Sequence, residues 1–322
     1  MGEVLRTISL LLCVGMLAPS VAMANTELVA AIENVRVACG GISNELSHMK
    51  TMAGINTAIT GVGTVAGGVA LGTGLAKVKV DKQADELEAT LNKLRELANA
   101  QVIEQPTALV FSGDVQGGVV GGSGGDMSTD VEIADVEYDL AQKTKQSKNL
   151  GNWRTGMLAT STATNIAGAV IAGNNRVKGD LKSQINECLN MVNVLSNVRM
   201  QVRVAGDYDD AELAQAEKIV RACGAWSTVD VGSINSKSTG ATVASGVGAG
   251  LGLAGTITSA TANSDSVRMG DSQKEKNLNT ASNVLASGTT VASGVAVVFN
   301  ATQIGAIKRA ANVADECEEA LR

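Results

Sequence analysis

Residues 52–76 read MAGINTAITGVGTVAGGVALGTGLA, without one charge or aromatic ring. A run this long exceeds a usual strand, and it lacks the period-2 alternation of one. The reading is therefore helical. Seven glycines fall between Gly54 and Gly74, both included. In an exposed helix each costs up to ~1 kcal/mol relative to alanine. Something must offset that cost, and close helix–helix approach through small residues does so. Small residues recur at every fourth position, Thr60, Thr64, Gly68, Gly72 and Ala76. That spacing is near one turn and predicts one packing stripe. The pattern returns 184 residues later as Ala244, Gly248, Gly252, Thr256 and Ala260.

Two more uncharged runs complete a pair. Residues 155–175 carry Thr160, Thr164, Gly168 and Ala172 at the same spacing, and an offset of 128 takes these to Gly288, Ala292, Ala296 and Asn300. Ala222-Cys223-Gly224 answers Ala38-Cys39-Gly40, and Glu316-Cys317 answers Glu187-Cys188. The chain thus reads as a tandem duplication. Residues 25–205 form the first copy, with an insertion at about 78–147, and residues 206–322 form the second.

Between the uncharged runs the periodicity is that of amphipathic helices. Leu28, Ile32, Val35, Cys39, Ile42, Leu46 and Met49 step by fours and threes, a heptad seam weakened at Gly40-Gly41. Leu181, Ile185, Cys188, Met191, Leu195, Val198 and Val202 make another, read as continuing the helix of residues 155–175. In the insertion, Ala84, Leu87, Leu91, Leu94 and Ala98 line a charged helix. Val131, Ala134, Tyr138 and Ala141 are the predicted face of its partner across a Gly-rich tip, residues 112–128. Asp207 to Asp210 are placed to cap the helix that follows. Aromatics are only 2% of the chain, so a thick globular core is not expected.

Residues 1–24 read as a secretory signal peptide. Arg6 supplies the charge, Thr7 to Leu17 the apolar centre and Ala22-Met23-Ala24 the cleavage site. Export implies an oxidising compartment, and four cysteines remain in the mature chain. In an antiparallel hairpin, level residues are equidistant from the turn. Cys223 and Cys317 are centred on Gly270, in a charged tip. Cys39 and Cys188 are centred beside Gly113, in the Gly-rich tip. The predicted bridges are Cys39–Cys188 and Cys223–Cys317, each at the base of its own hairpin. The fold expected is all-α: two tandem long antiparallel helical hairpins with Gly/Ala/Thr stripes, each stapled by a disulfide.

No catalytic or metal-ligating constellation stands out. Gly250, Gly252 and Gly255 match GxGxxG literally, but no strand precedes them and no βαβ unit surrounds them. Asp207, Asp209 and Asp210 lack the glycine and distal glutamate of a calcium loop. His48, the one histidine, reads as a solvated surface residue. No CxxC occurs, which disfavours metal and redox readings of the cysteines. The net charge of −6 argues against nucleic acid as a partner. The expectation is a non-enzymatic protein without a cofactor.

Two environments suit the four uncharged runs. Each is long enough to cross ~30 Å of hydrocarbon, with Lys50, Lys77, Trp153, Arg154, Arg176 and Lys237 at their ends. A soluble rod packed through its small residues is the other solution, since Thr, Ser and Asn make each run only moderately apolar. The stripes resemble the glycine-zipper class of bacterial envelope proteins. That resemblance covers the four runs and implies an envelope-associated, non-enzymatic role. The expected function is a structural or scaffolding protein of the bacterial envelope. It would associate with membrane lipid and with further copies of itself or an envelope partner. A secreted pore former inserting apolar hairpins into a target membrane is the alternative.

Overall fold

The computed structural model describes residues 26–103, 126–206, 208–270 and 272–322. The residues expected to form a signal peptide and most of the Gly-rich tip lie outside these ranges. Among the described residues there is no strand. The helices are α1 (26–39), α2 (Ile42–Ile103), α3 (Asp126–Asn174), α4 (Gly179–Ala205), α5 (Asp210–Gly224), α6 (Val231–Ala262), α7 (Asp265–Gly270) and α8 (Ser272–Leu321), with a 3-10 turn at Ala225–Thr228. The first hairpin has arms α1–α2 and α3–α4; the second has arms α5–α6 and α8. Both expected disulfides are present, Cys39–Cys188 and Cys223–Cys317.

Helix ends follow local chemistry. Gly41, at φ 84°, separates α1 from α2, a left-handed conformation that glycine adopts without a Cβ penalty. Gly206, at φ 79°, ends α4 and donates its N–H to the Val202 carbonyl. The Asp209 carboxylate caps α5 by accepting from the Ala211 N–H at 2.8 Å.

One expected continuity fails. The helix of residues 155–175 does not run on into the Leu181 seam. It stops at Asn174, and Lys178 is extended (φ −67°, ψ 161°) before α4 begins. The equivalent segment of the second hairpin, residues 303–306, is uninterrupted helix.

The chain divides into two compact units that cut across the helices. Of the described residues, one comprises those within 26–61, 165–246 and 292–322, the other those within 62–103, 126–164 and 247–291. The first unit holds the apolar core. Leu28, Val35, Ile42 and Leu46 of α1 and α2 are almost wholly buried, as are Leu181, Leu195, Ile219, Ile234 and Ile307. Burying such a side chain stabilises by roughly 1.5–3 kcal/mol. The four bridged cysteines lie in this core, and Arg36 of α1 donates to the carbonyl of Leu321 from Nε (3.1 Å) and a terminal guanidinium nitrogen (2.9 Å).

In the second unit the ends of α2 and α3 form a charged pair of arms. Leu91 is buried, with Leu87, Leu94 and Ala98 half-buried on the expected face. The partner face is corrected. Val131 and Tyr138 are 57% and 65% exposed, while Ile133, Val136 and Leu140 turn inward. Arg95 pairs with Glu137 at 2.7 Å, and Lys143 donates to Gln83 at 3.0 Å.

Candidate functional site

The uncharged runs bury a seam that differs from the stripe of every fourth residue. On α2 the seam is Ala53, Asn56, Thr60, Gly63, Gly67, Ala70, Gly74 and Lys77, alternating steps of three and four, with Ala66 also buried beside it. They continue the Leu28–Met49 seam without a change of register. On α3 the series is Ser147, Gly151, Arg154, Leu158, Ser161, Asn165, Gly168 and Ala172, and Asn175 follows just past its end. On α6 it is Ser238, Ala241, Ser245, Gly248, Gly252, Gly255, Ser259 and Ala262, and on α8 Asn279, Ser282, Ala286, Thr289, Ser293, Ala296, Asn300 and Gln303. The physical reason is angular. Four residues advance an α-helix by about 400°, so a period-four stripe rotates about 40° at each step, whereas a heptad drifts only ~20° in seven residues.

The stripe residues therefore scatter. Thr60, Gly168, Ala172, Gly248, Gly252 and Ala296 are buried on the seams. Thr64, Thr164, Ala244, Thr256, Gly288 and Ala292 flank them half-buried. Gly68, Gly72, Ala76, Thr160 and Ala260 are exposed. The repeat also shifts. Thr60 corresponds on the seam to Ser245 and Gly63 to Gly248, one residue on from the sequence pairing, while Asn165 corresponds to Ser293 as expected.

Within each unit these seams are small and polar, and hydrogen bonds close them. In the first unit the Asn56 amide donates to Asn300 Oδ1 at 2.8 Å, and the Asn300 amide donates to Thr60 Oγ1 at 3.2 Å. Asn165 and Ser293 exchange bonds of 2.8 and 3.0 Å, and the Ser238 hydroxyl donates to the Ala172 carbonyl at 2.5 Å. A Cβ on Gly168 would stand 2.6 Å from Thr60 Cγ2. In the second unit Ser161 donates to the Gly63 carbonyl at 2.8 Å and Ser282 to the Gly255 carbonyl at 3.1 Å. A Cβ on Gly252 would stand 2.5 Å from Thr162 Oγ1. Extending the Leu28–Met49 register would have located these polar positions; the period-four stripe obscured them.

The outward faces are apolar. In the first unit Ile55, Ile166, Val170, Val243, Val295 and Val298 are 43–62% exposed. In the second, Val62, Val65, Leu75, Leu253, Ile257 and Val291 are 54–68% exposed. The exposed hydroxyls of Thr160, Thr239, Thr261 and Thr302 each donate to the carbonyl four residues earlier. Their hydrogen-bonding need is met within their own helix, as threonines do in apolar surroundings.

Charge collects in the second unit, at the ends of its uncharged runs. The fully buried Lys77 ammonium pairs with Asp81 (2.8 Å) and Glu275 (2.7 Å), and Ser147 donates to Asp81. Arg154, just ahead of the α3 run, donates to the Asn279 side chain (3.3 Å) and carbonyl (3.0 Å). Burial holds its guanidinium down to about 10, against the pull of Asp81. Lys276 pairs with Asp85 at 2.8 Å, and that hydrogen bond raises its pKa.

By length and composition three helices qualify as membrane spans, within 26–99, Val231–Ala262 and Ser272–Leu321. Of the four uncharged runs, that of α3 is not among them, being richer in Thr, Ser and Asn. The sulfurs of Cys39, Cys223 and Cys317 lie within 4.8 Å of one another, but each is spent in a disulfide and offers no thiolate. No protein-family model, no curated protein and no solved structure matches the chain.

Proposed function

We propose that the protein is a non-enzymatic structural component of the bacterial cell envelope whose uncharged helix runs lie in a membrane. The observation that carries this reading is the inverted polarity of the runs. Their seams hold Asn, Ser, Thr and Gly, while Val, Ile and Leu face outward. In water that arrangement exposes apolar surface that monomeric proteins rarely tolerate. In lipid it is favourable: small residues allow close helix approach and polar side chains bond across helices. Only 28–33% of the most apolar window of each qualifying helix is buried. The α3 run enters with its partners, since Ser161 and Asn165 are hydrogen-bonded on the seam. The two disulfides support export to an oxidising compartment. The charged arms at 81–98 and 133–147 are the end that meets an envelope partner, and the exposed small residues Gly68, Gly72 and Ala76 are where further copies pack.

The test is fractionation combined with thiol labelling. The protein should stay with membranes through alkaline carbonate. A cysteine placed at Gly270, in a background lacking the native four, should be shielded from a reagent that does not cross the inner membrane. Carbonate release with immediate labelling would establish the soluble rod instead. Leakage of dye from liposomes on adding soluble protein would establish the pore former.

A further inference from the structure

Where the uncharged run meets the returning apolar seam, the first hairpin is broken at residues 175–178 and the second is continuous helix. The break at residues 175–178 is held by side chains from α6 and α8 and by a backbone carbonyl of α2. The Asn175 amide donates to the Met49 carbonyl (3.1 Å), and Gln303 donates to the Asn175 carbonyl (2.9 Å). Asn235 closes both polar groups of Val177, accepting from its N–H (2.8 Å) and donating to its carbonyl (3.2 Å). Freed backbone groups in a buried setting must find partners, and here each partner is a buried or half-buried amide side chain. The interruption is therefore built in.

It opens a cleft of about 480 Å³ between α2, the break and the start of α4, within the usual range for ligand sites. Its apolar part is Met49, Met52 and Leu181; its polar rim includes Glu45, His48, Arg176 and Lys178. Arg176 and Lys178 make no ion pair among the described residues. Lys178 stands at the N-cap of α4 with no side chain capping the first turn, so the positive helix end adds to the two cations. Asp180 lies in that first turn but does not line the cleft. Two cations against the single carboxylate of Glu45 leave a surplus of one positive charge. The cleft also lies where the uncharged runs begin, beside Lys50 and Arg176, and the exposed Ile55 and Val170 follow on α2 and α3.

We infer that this cleft holds the phosphodiester headgroup of an anionic phospholipid, with Arg176 and Lys178 on the phosphate and the acyl chains running along Ile55 and Val170. The inference rests on the membrane reading and adds a specific lipid to it. The full-length protein would be reconstituted into vesicles of equimolar phosphatidylglycerol and phosphatidylcholine, extracted in detergent, and its retained lipid measured by mass spectrometry. Wild type should retain phosphatidylglycerol in roughly tenfold excess. R176Q/K178Q should lose that excess, while K308Q, a charge change outside the cleft, should keep it. Equal retention by wild type and R176Q/K178Q overturns the site, as does wild type without a preference. Displacement of the lipid by an excess of inorganic phosphate would assign the cleft to free phosphate and overturn the lipid. Failure to integrate at all strikes at the membrane reading and is read separately, from carbonate extraction of the same vesicles.

Discussion

The apolar core around the disulfides and the uncharged runs use one seam in opposite ways. From Leu28 to Met49 the inward positions are Leu, Ile, Val, Cys and Met, and the outward ones include Glu33, Arg36 and Glu45. From Ala53 to Gly74 the same register carries Asn, Thr, Gly and Ala inward, while Ile55, Val62 and Val65 face out. The first pattern is that of a protein whose solvent is water, stabilised by area removed from it. The second is the pattern expected where the surroundings offer polar groups no partner, and it is what the proposed membrane setting rests on. One helical register thus carries both patterns, and only the residues on each face reverse.

The largest effect should come from unstapling the apolar core. C223A/C317A removes a bridge with a sequence separation of 94, worth about 2–5 kcal/mol for bridges of this kind. Circular dichroism should show a sharply lower melting temperature than wild type. An unchanged melting temperature would mean the bridge constrains nothing that the core does not already hold.

The next contrast sets the two halves side by side. Leu195 is fully buried and Val65 is 68% exposed. L195A should cost about 2–5 kcal/mol through the cavity it leaves, whereas V65A should fall within about 0.5 kcal/mol of wild type. If denaturant unfolding ranks V65A as the more damaging, the outward face of α2 is packed against protein, and the inversion is mistaken.

The smallest effect tests the seam itself. G252A places a Cβ 2.5 Å from Thr162 Oγ1, whereas at Gly250 nothing lies within 4 Å. Overpacking should cost G252A about 1–3 kcal/mol. G250A should instead gain up to ~1 kcal/mol, because alanine is the better helix former. Equal and stabilising effects at both positions would dissolve the distinction between the seam and the outer face.

The sequence alone determined the helical class, the two tandem hairpins and both disulfide partners. Those follow from local periodicity and from the requirement that level residues in a hairpin be equidistant from its turn. It also held the seam, since steps of three and four from Leu28 lead to Asn56 and Thr60, but small residues satisfied a period of four equally well at Thr60, Thr64 and Gly68. Which period faced inward was decided by packing, because glycine and alanine carry too little side chain to mark a face by themselves. The tertiary structure also decided the break at Asn175. Nothing near Asn175 forbids a helix; it is Asn235 and Gln303, far along the chain, that supply partners for the freed backbone groups. Pairings of that kind depend on which helices become neighbours, and a single chain's local pattern does not record it.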